Sequence, residues 1–238
     1  MVNNMHKIEY LNSRPKRGYD DGSPAEFLVG YTPHKSGTYR IEIDGVLEDV
    51  SQFSTAIQIL EQAKEDDDVV IYIQTYGGSV NAGEAFIHAM RKCEAHIHII
   101  ATGGVHSMGT CILIEGDSIE LSYGFNACLH CGSDGAGGNV NEYMAKSKFD
   151  HEFKTRQFRE SYEGFLTEKE LDAMLDGKDI WLDAEGWMKR ALKRSEYFQA
   201  KFEEQTKPAR KPRTAKKPAK PLDTQSGKNE VLDTTQVT

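Results

Sequence analysis

Two stretches of the chain repeat one arrangement, and that repeat limits the fold more than any other feature. Val69-Val70-Ile71-Tyr72-Ile73 is a nearly continuous apolar run. Gly77-Gly78 follows it, and then Ala82, Ala85, Phe86, Ala89, Met90 and Cys93 recur at helical spacing. Ile97 to Ala101 is a second run, followed by Gly103-Gly104, by Ser107 and by Cys111-Ile112-Leu113-Ile114. A run without polar alternation suits a parallel strand covered on both faces. Strand, turn and helix in succession make the unit of an α/β fold. Upstream, Thr38-Tyr39-Arg40-Ile41-Glu42-Ile43-Asp44 alternates apolar and polar, which predicts a half-buried strand ending at Gly45. Phe53, Ala56, Ile57, Leu60 and Ala63 predict a helix, with Asp49 or Ser51 as its cap.

Beyond the repeat, Ser118-Ile119-Glu120-Leu121 and Ala127-Cys128-Leu129-His130 read as short strands. The glycine-rich segment from Gly132 to Gly138 separates the second of them from a long charged helix over Asn139 to Tyr162, whose apolar residues are Tyr143, Phe149, Phe153 and Phe158. Thr167 with Glu170 three residues later forms a capping box for a short helix. Asp179-Ile180-Trp181-Leu182 follows Gly177, and a last helix runs from Asp183 to about Leu192.

The net charge of −8 argues against a nucleic-acid binder by bulk charge. The charge is uneven, because Lys207 to Lys220 is basic and rich in proline. Such a segment cannot bury a core and reads as a disordered tail, either solvated or in contact with an acidic partner or nucleic acid. No apolar run of about eighteen residues predicts a membrane span. Four cysteines and no apolar signal segment near Met1 predict a reducing, cytoplasmic compartment. Cys128-Leu129-His130-Cys131 is half a zinc pattern with no second pair, so no metal is expected. Neither G-x-G-x-x-G nor a Walker lysine accompanies the glycine pairs, which argues against a nucleotide site.

A serine between a buried strand and a helix has two readings. It caps the helix, or it is a nucleophile with backbone N–H groups beside it. Acyl transfer needs a nucleophile, a base, a group that orients the base, and donors for an oxyanion. Ser107, His130 and Asp179 supply the first three, and the N–H groups of Gly78 and Met108 supply the donors. The nucleophile motif G-x-S-x-G is absent, because Val105-His106 precedes Ser107, and the chain order Ser, His, Asp differs from the common hydrolase orders.

These residues resemble those of the Clp protease proteolytic subunit, the ClpP family. Gly77-Gly78-Ser79-Val80-Asn81-Ala82-Gly83 is similar to its oxyanion turn, Ser107-Met108-Gly109 to its nucleophile turn, Leu129-His130 to its histidine strand, and Asp179-Ile180-Trp181-Leu182-Asp183-Ala184 to its aspartate segment. The similarity covers about Tyr39 to Leu192. It implies a crossed α/β spiral, as in the crotonase superfamily, with residues 139–162 as a protruding handle helix. It implies a serine endopeptidase that needs no cofactor, forms stacked homo-oligomeric rings and cleaves peptides or unfolded proteins. A separate AAA+ unfoldase would be its partner. The domain plan is then a poorly structured arm over 1–35, with a short strand at Phe27–Tyr31, a peptidase domain over 36–200, and a basic tail over 201–238. The handle and the Phe53-to-Leu60 helix are the expected assembly surfaces.

The sequence departs from the family at Tyr76, where proline is usual, at Val105-His106 and at Cys131-Gly132. The arm does not resemble the family's axial loops, and the tail is atypical. Such divergence would suit an accessory copy, for instance one from a phage. Rival readings are a catalytically silent assembly protein on this fold and a phage head-maturation type of protease. A crotonase-type enzyme is disfavoured by the serine triad. A Ser-Lys peptidase is disfavoured because Lys146 and Lys148 fall on the charged helix.

Overall fold

The computed structural model describes residues 9–10, 27–32, 37–132 and 139–206. The 1–35 arm, the glycine-rich loop and the basic tail lie largely outside the described residues. Eight strands form one sheet: β1 (Glu9–Tyr10), β2 (Leu28–Thr32), β3 (Thr38–Leu47), β4 (Asp68–Gly78), β5 (His96–His106), β6 (Ser118–Leu121), β7 (Asn126–Leu129) and β8 (Ile180–Asp183). The strand expected at Phe27–Tyr31 is β2, which pairs antiparallel with both β1 and β3.

The centre of the sheet is parallel. β3 pairs with β4 and β4 with β5, and each crossover is helical. The first crossover carries a 3-10 turn (Val50–Phe53) and α1 (Ser54–Gln62), and the second carries α2 (Val80–Lys92). Asp49 is the cap, in a capping box with Gln52. β5 changes neighbour along its length: His98–Ala101 pair with β6, and Gly104–His106 pair with β7. The helix α3 (Met108–Leu113) connects β5 to β6. This is the α/β fold that the sequence predicts.

Gly45 does not end β3. At φ +98 it lets the ladder slip by a residue against β4, and the strand continues to Leu47. β4 and β5 likewise run through their glycine pairs, to Gly78 and His106, where the sequence predicts turns. In β3 and β4 the glycines at positive φ, Gly45, Gly77 and Gly78, keep the strand in the sheet while bending it, as a bulge does. Among the described residues the central strands are also not fully covered on both faces. In β4, Val69, Ile71 and Ile73 are buried, while Val70 and Tyr72 are half-buried. The Arg40 guanidinium lies 3.6 Å from the centre of the Tyr72 ring and shields part of that second face.

The core lies between the buried sheet face and the helices. Phe53 stacks on Phe86 at 4.6 Å, and both are fully buried. Burying a side chain of this size stabilises the fold by about 1.5–3 kcal/mol. Phe53, Ala56 and Leu60 of the Phe53-to-Leu60 helix are thus buried inside the monomer, while Ile57 and Ile59 remain half-buried.

The helix α4 (Val140–Ser161) is capped by Asn139, whose side chain accepts from the Glu142 N–H. Most of it is exposed, including Met144 at 64% and Phe149 at 61%. The helix α5 (Glu168–Leu175) carries the expected capping box of Thr167 and Glu170. The last helix, α6 (Ala184–Thr206), runs well past Leu192. Trp187 anchors it, fully buried against Phe165 and Phe125. Its second half is held by polar contacts that a search for apolar periodicity does not see. Arg194 donates to the carbonyls of Ser161 and Glu163, and Tyr197 and Lys201 both bond the Glu163 carboxylate at 2.7 Å.

Candidate active site

β5 ends at His106, and α3 begins at Met108. Ser107 alone makes the turn between them. Its backbone sits at φ 53, ψ −127, and among the described residues it is the one non-glycine at positive φ. Such a conformation costs on the order of 1–3 kcal/mol and persists only where the surroundings enforce it. Here the Ser107 N–H donates to the Cys128 carbonyl at 2.8 Å. The Ser107 carbonyl accepts from the Thr110 N–H at 2.9 Å and from Thr110 Oγ1 at 2.6 Å. The Ser107 hydroxyl makes no capping bond to α3. The cap reading of this serine is thus set aside: its side chain is not spent on the helix.

The glycine pair of β4 packs directly under this turn. A Cβ on Gly77 would fall 2.6 Å from Ser107 Cβ and from the His106 carbonyl oxygen. A Cβ on Gly78 would fall 2.1 Å from the Leu47 carbonyl oxygen. Gly109, in the first turn of α3, is equally close to Thr75, where a Cβ would lie 2.4 Å from Cγ2. Thr75 is buried and fixes the pair: its Oγ1 donates to the Gly45 carbonyl and accepts from the Gly77 N–H at 3.0 Å.

The register of β7 and β8 places the other two candidates. Leu129 pairs with Ile180 in an antiparallel ladder. His130 is the next residue after β7, and Asp179 is the residue before β8. Both therefore follow directly on the last pair of that ladder, at the same end of β7 and β8. β5 pairs His106 with Cys128, which brings Ser107 to the same end of β7. The Asp179 charge reaches Cys128, whose thiol is pushed up first by burial and then by that carboxylate. Among the described residues, Ser107, His130 and Asp179 share no side-chain hydrogen bond.

Ser107, Met108, Gly78 and His130 line one cavity of about 250 Å³, together with Tyr76, Val80, Cys131, Gly132, Lys154 and Phe158. A neighbouring cavity of about 190 Å³, also bordered by Cys131, Gly132, Lys154 and Phe158, continues along α4 past Tyr143, Ser147 and His151. The serine thus lies at one end of a groove bordered by α4.

Comparison with known proteins bears on this arrangement. The family described as Clp protease matches residues 43–156, a span that includes Gly78, Ser107, Met108 and His130 and stops short of Asp179. ATP-dependent Clp protease proteolytic subunits from Streptococcus pyogenes serotype M5 (strain Manfredo) and serotype M1 are each 30% identical over 152 residues, covering 61% of this chain and 77% of theirs. The chain belongs to the Clp protease family. In this Clp protease family member Tyr76, Cys131 and Lys154 border the cavity beside Ser107, His130 and Gly78.

Sequence reasoning missed Thr75, Thr110 and Tyr162. Thr110 Oγ1 meets Tyr162 Oη at 2.7 Å across 52 residues of sequence, and no local pattern signals such a contact.

Proposed function

We propose that this chain is the proteolytic subunit of a self-compartmentalised serine protease. Ser107 Oγ attacks the carbonyl carbon of a peptide bond, and His130 takes the hydroxyl proton. Asp179 holds the imidazole and stabilises the imidazolium as it forms. The N–H groups of Gly78 and Met108 stabilise the oxyanion. Collapse expels the amine, which takes the proton from His130 and leaves an acyl-enzyme on Ser107. Water, deprotonated by His130, releases the acid and frees the serine.

The observation that carries this reading is Ser107 itself. A strained, unglycinated turn whose hydroxyl does no capping is a cost with a use at a nucleophile. His130 and Gly78 border the same cavity. Catalytic hydrogen bonds are often long without substrate and tighten in the complex, so the absence of a Ser107–His130 bond suits a resting state. The subunits assemble as homo-oligomeric rings that meet through α4, take peptide or unfolded-protein substrates in the reducing cytoplasm, and receive proteins from a separate unfoldase.

The test is labelling with a fluorophosphonate, followed by peptide mapping. A single adduct on Ser107, lost on prior denaturation, is the expected result. An unmodified chain under conditions that label a known serine peptidase would instead support a silent assembly protein.

A further inference from the structure

Beneath Ser107, three buried side chains line up on one carbonyl. Thr110 Oγ1 lies 2.6 Å from the Ser107 carbonyl oxygen and 2.7 Å from Tyr162 Oη, and Cys111 Sγ lies 3.3 Å from the same Oη. Thr110, Cys111 and Tyr162 are all at most 2% exposed. A carbonyl oxygen only accepts, and a threonine hydroxyl carries one proton. That proton goes to Ser107, so Thr110 can only accept from Tyr162. Tyr162 has then given its own proton away and accepts from the Cys111 thiol. The bonds run in one direction, from Cys111 through Tyr162 and Thr110 to the Ser107 carbonyl. Burial pushes the Tyr162 hydroxyl well above its ordinary value and the Cys111 thiol up to about 11, so both keep their protons at neutral pH.

The peptide between Ser107 and Met108 is planar and trans, so its carbonyl and its N–H point in opposite directions. Holding the carbonyl against Thr110 therefore sets the direction of the Met108 N–H. We propose that Tyr162, acting through Thr110, is a positioning residue that locks the Ser107–Met108 peptide with its N–H turned to the oxyanion site. The inference rests on the serine-peptidase reading above. Tyr162 is the C-cap of α4 and stacks on Phe158, which borders the cavity, at 6.2 Å. The relay thus ties the seating of α4 to the alignment of the oxyanion donor.

The full-length wild type is compared with Tyr162→Phe, Thr110→Val and Thr110→Ser. Active sites are first counted by fluorophosphonate titration. Then kcat and KM per titrated site are measured on a fluorogenic peptide, with inhibition by a peptide aldehyde whose hemiacetal oxygen occupies the oxyanion site. Losing an oxyanion donor outright lowers kcat by about 10²–10³-fold. A misaimed donor should lose less, so Thr110→Val is expected to lower kcat roughly 10- to 100-fold, with KM nearly unchanged and aldehyde binding weakened by a similar factor. Tyr162→Phe should follow in the same direction, and Thr110→Ser, which keeps the hydroxyl, should recover most of the rate. If Thr110→Val does not fold, Tyr162→Phe, which removes a single oxygen, decides alone. Variants that lose melting temperature or titratable fraction, yet turn over at the wild-type rate per site and bind the aldehyde normally, overturn the positioning role. A wild type with no titratable Ser107 overturns the peptidase reading itself, and the inference with it.

Discussion

Gly77 lies against Ser107 so closely that a Cβ on the glycine would sit 2.6 Å from the serine Cβ. The contact joins the end of β4 to the turn after β5, and Gly77 is itself at φ +84. Gly77→Ala therefore meets both a backbone penalty of about 1–2 kcal/mol and a steric overlap of about 1–3 kcal/mol. Gly45 is also at positive φ, at +98, but has open space where a Cβ would go. Gly45→Ala should show the backbone penalty alone. Urea melts of the two variants should differ by more than about 1 kcal/mol, Gly77→Ala being the less stable. Equal destabilisation would mean that the turn can yield to a methyl group.

Two carboxylates near Asp179 already have partners of their own. Asp183 Oδ1 accepts from the Gly186 N–H at 2.8 Å, at the start of α6, and Asp172 pairs with Arg159. Asp179→Asn should lower kcat by about 10⁴-fold, because an amide favours the wrong imidazole tautomer, with little change in melting temperature. Asp172→Asn, Asp176→Asn and Asp183→Asn should keep turnover near wild type. Loss of turnover in Asp176→Asn or Asp183→Asn, with Asp179→Asn intact, would move the third triad position.

The local elements around Ser107 were legible because they depend on order along the chain. A buried strand, a glycine pair, a serine and a helix follow each other within one window, and the capping boxes at Asp49 and Thr167 are local patterns. Strand ends were not legible at Gly45 and Gly78, because a glycine at positive φ reads as a stop in sequence yet acts as a bend in a sheet. The reach of α6 to Thr206 was hidden for a different reason: Arg194 and Lys201 dock on carbonyls and a carboxylate of a distant segment, which carries no periodicity. The strain at Ser107 and the Thr110–Tyr162 contact are products of packing between β5, β7 and α4.

Glu84, on α2, carries a stability signature that depends on pH. Burial pushes its carboxyl up, partly offset by Arg91 and reinforced by Glu160 and Glu115. The folded chain then holds this proton more tightly than the unfolded chain. Stability is favoured below the unfolded value, falls as pH rises through the folded value, and stays lowered at neutral pH. Glu84→Gln removes that loss. Its melting temperature should exceed that of the wild type at pH 7, with the gap narrowing towards pH 4. A gap that widens on acidification would reverse the sign.

Phe149 and Phe153 stack at 5.9 Å on the outer side of α4 and are 61% and 42% exposed. Apolar surface of this kind on a charged helix marks an interaction site. Replacing both with aspartate should shift sedimentation towards a smaller species while the monomer's far-UV circular dichroism persists. An unchanged sedimentation coefficient would remove α4 from the assembly contact.

The central claim is that Ser107 is the nucleophile, and the most direct measurement is turnover of a fluorogenic peptide by wild type and by Ser107→Ala, purified in parallel and matched for assembly state. The substitution removes one oxygen that makes no capping bond, so assembly should be unaffected. Loss of a triad member lowers kcat by about 10⁴-fold or more, which should take the variant to background. Ser107→Ala turning over at the wild-type rate would contradict the account.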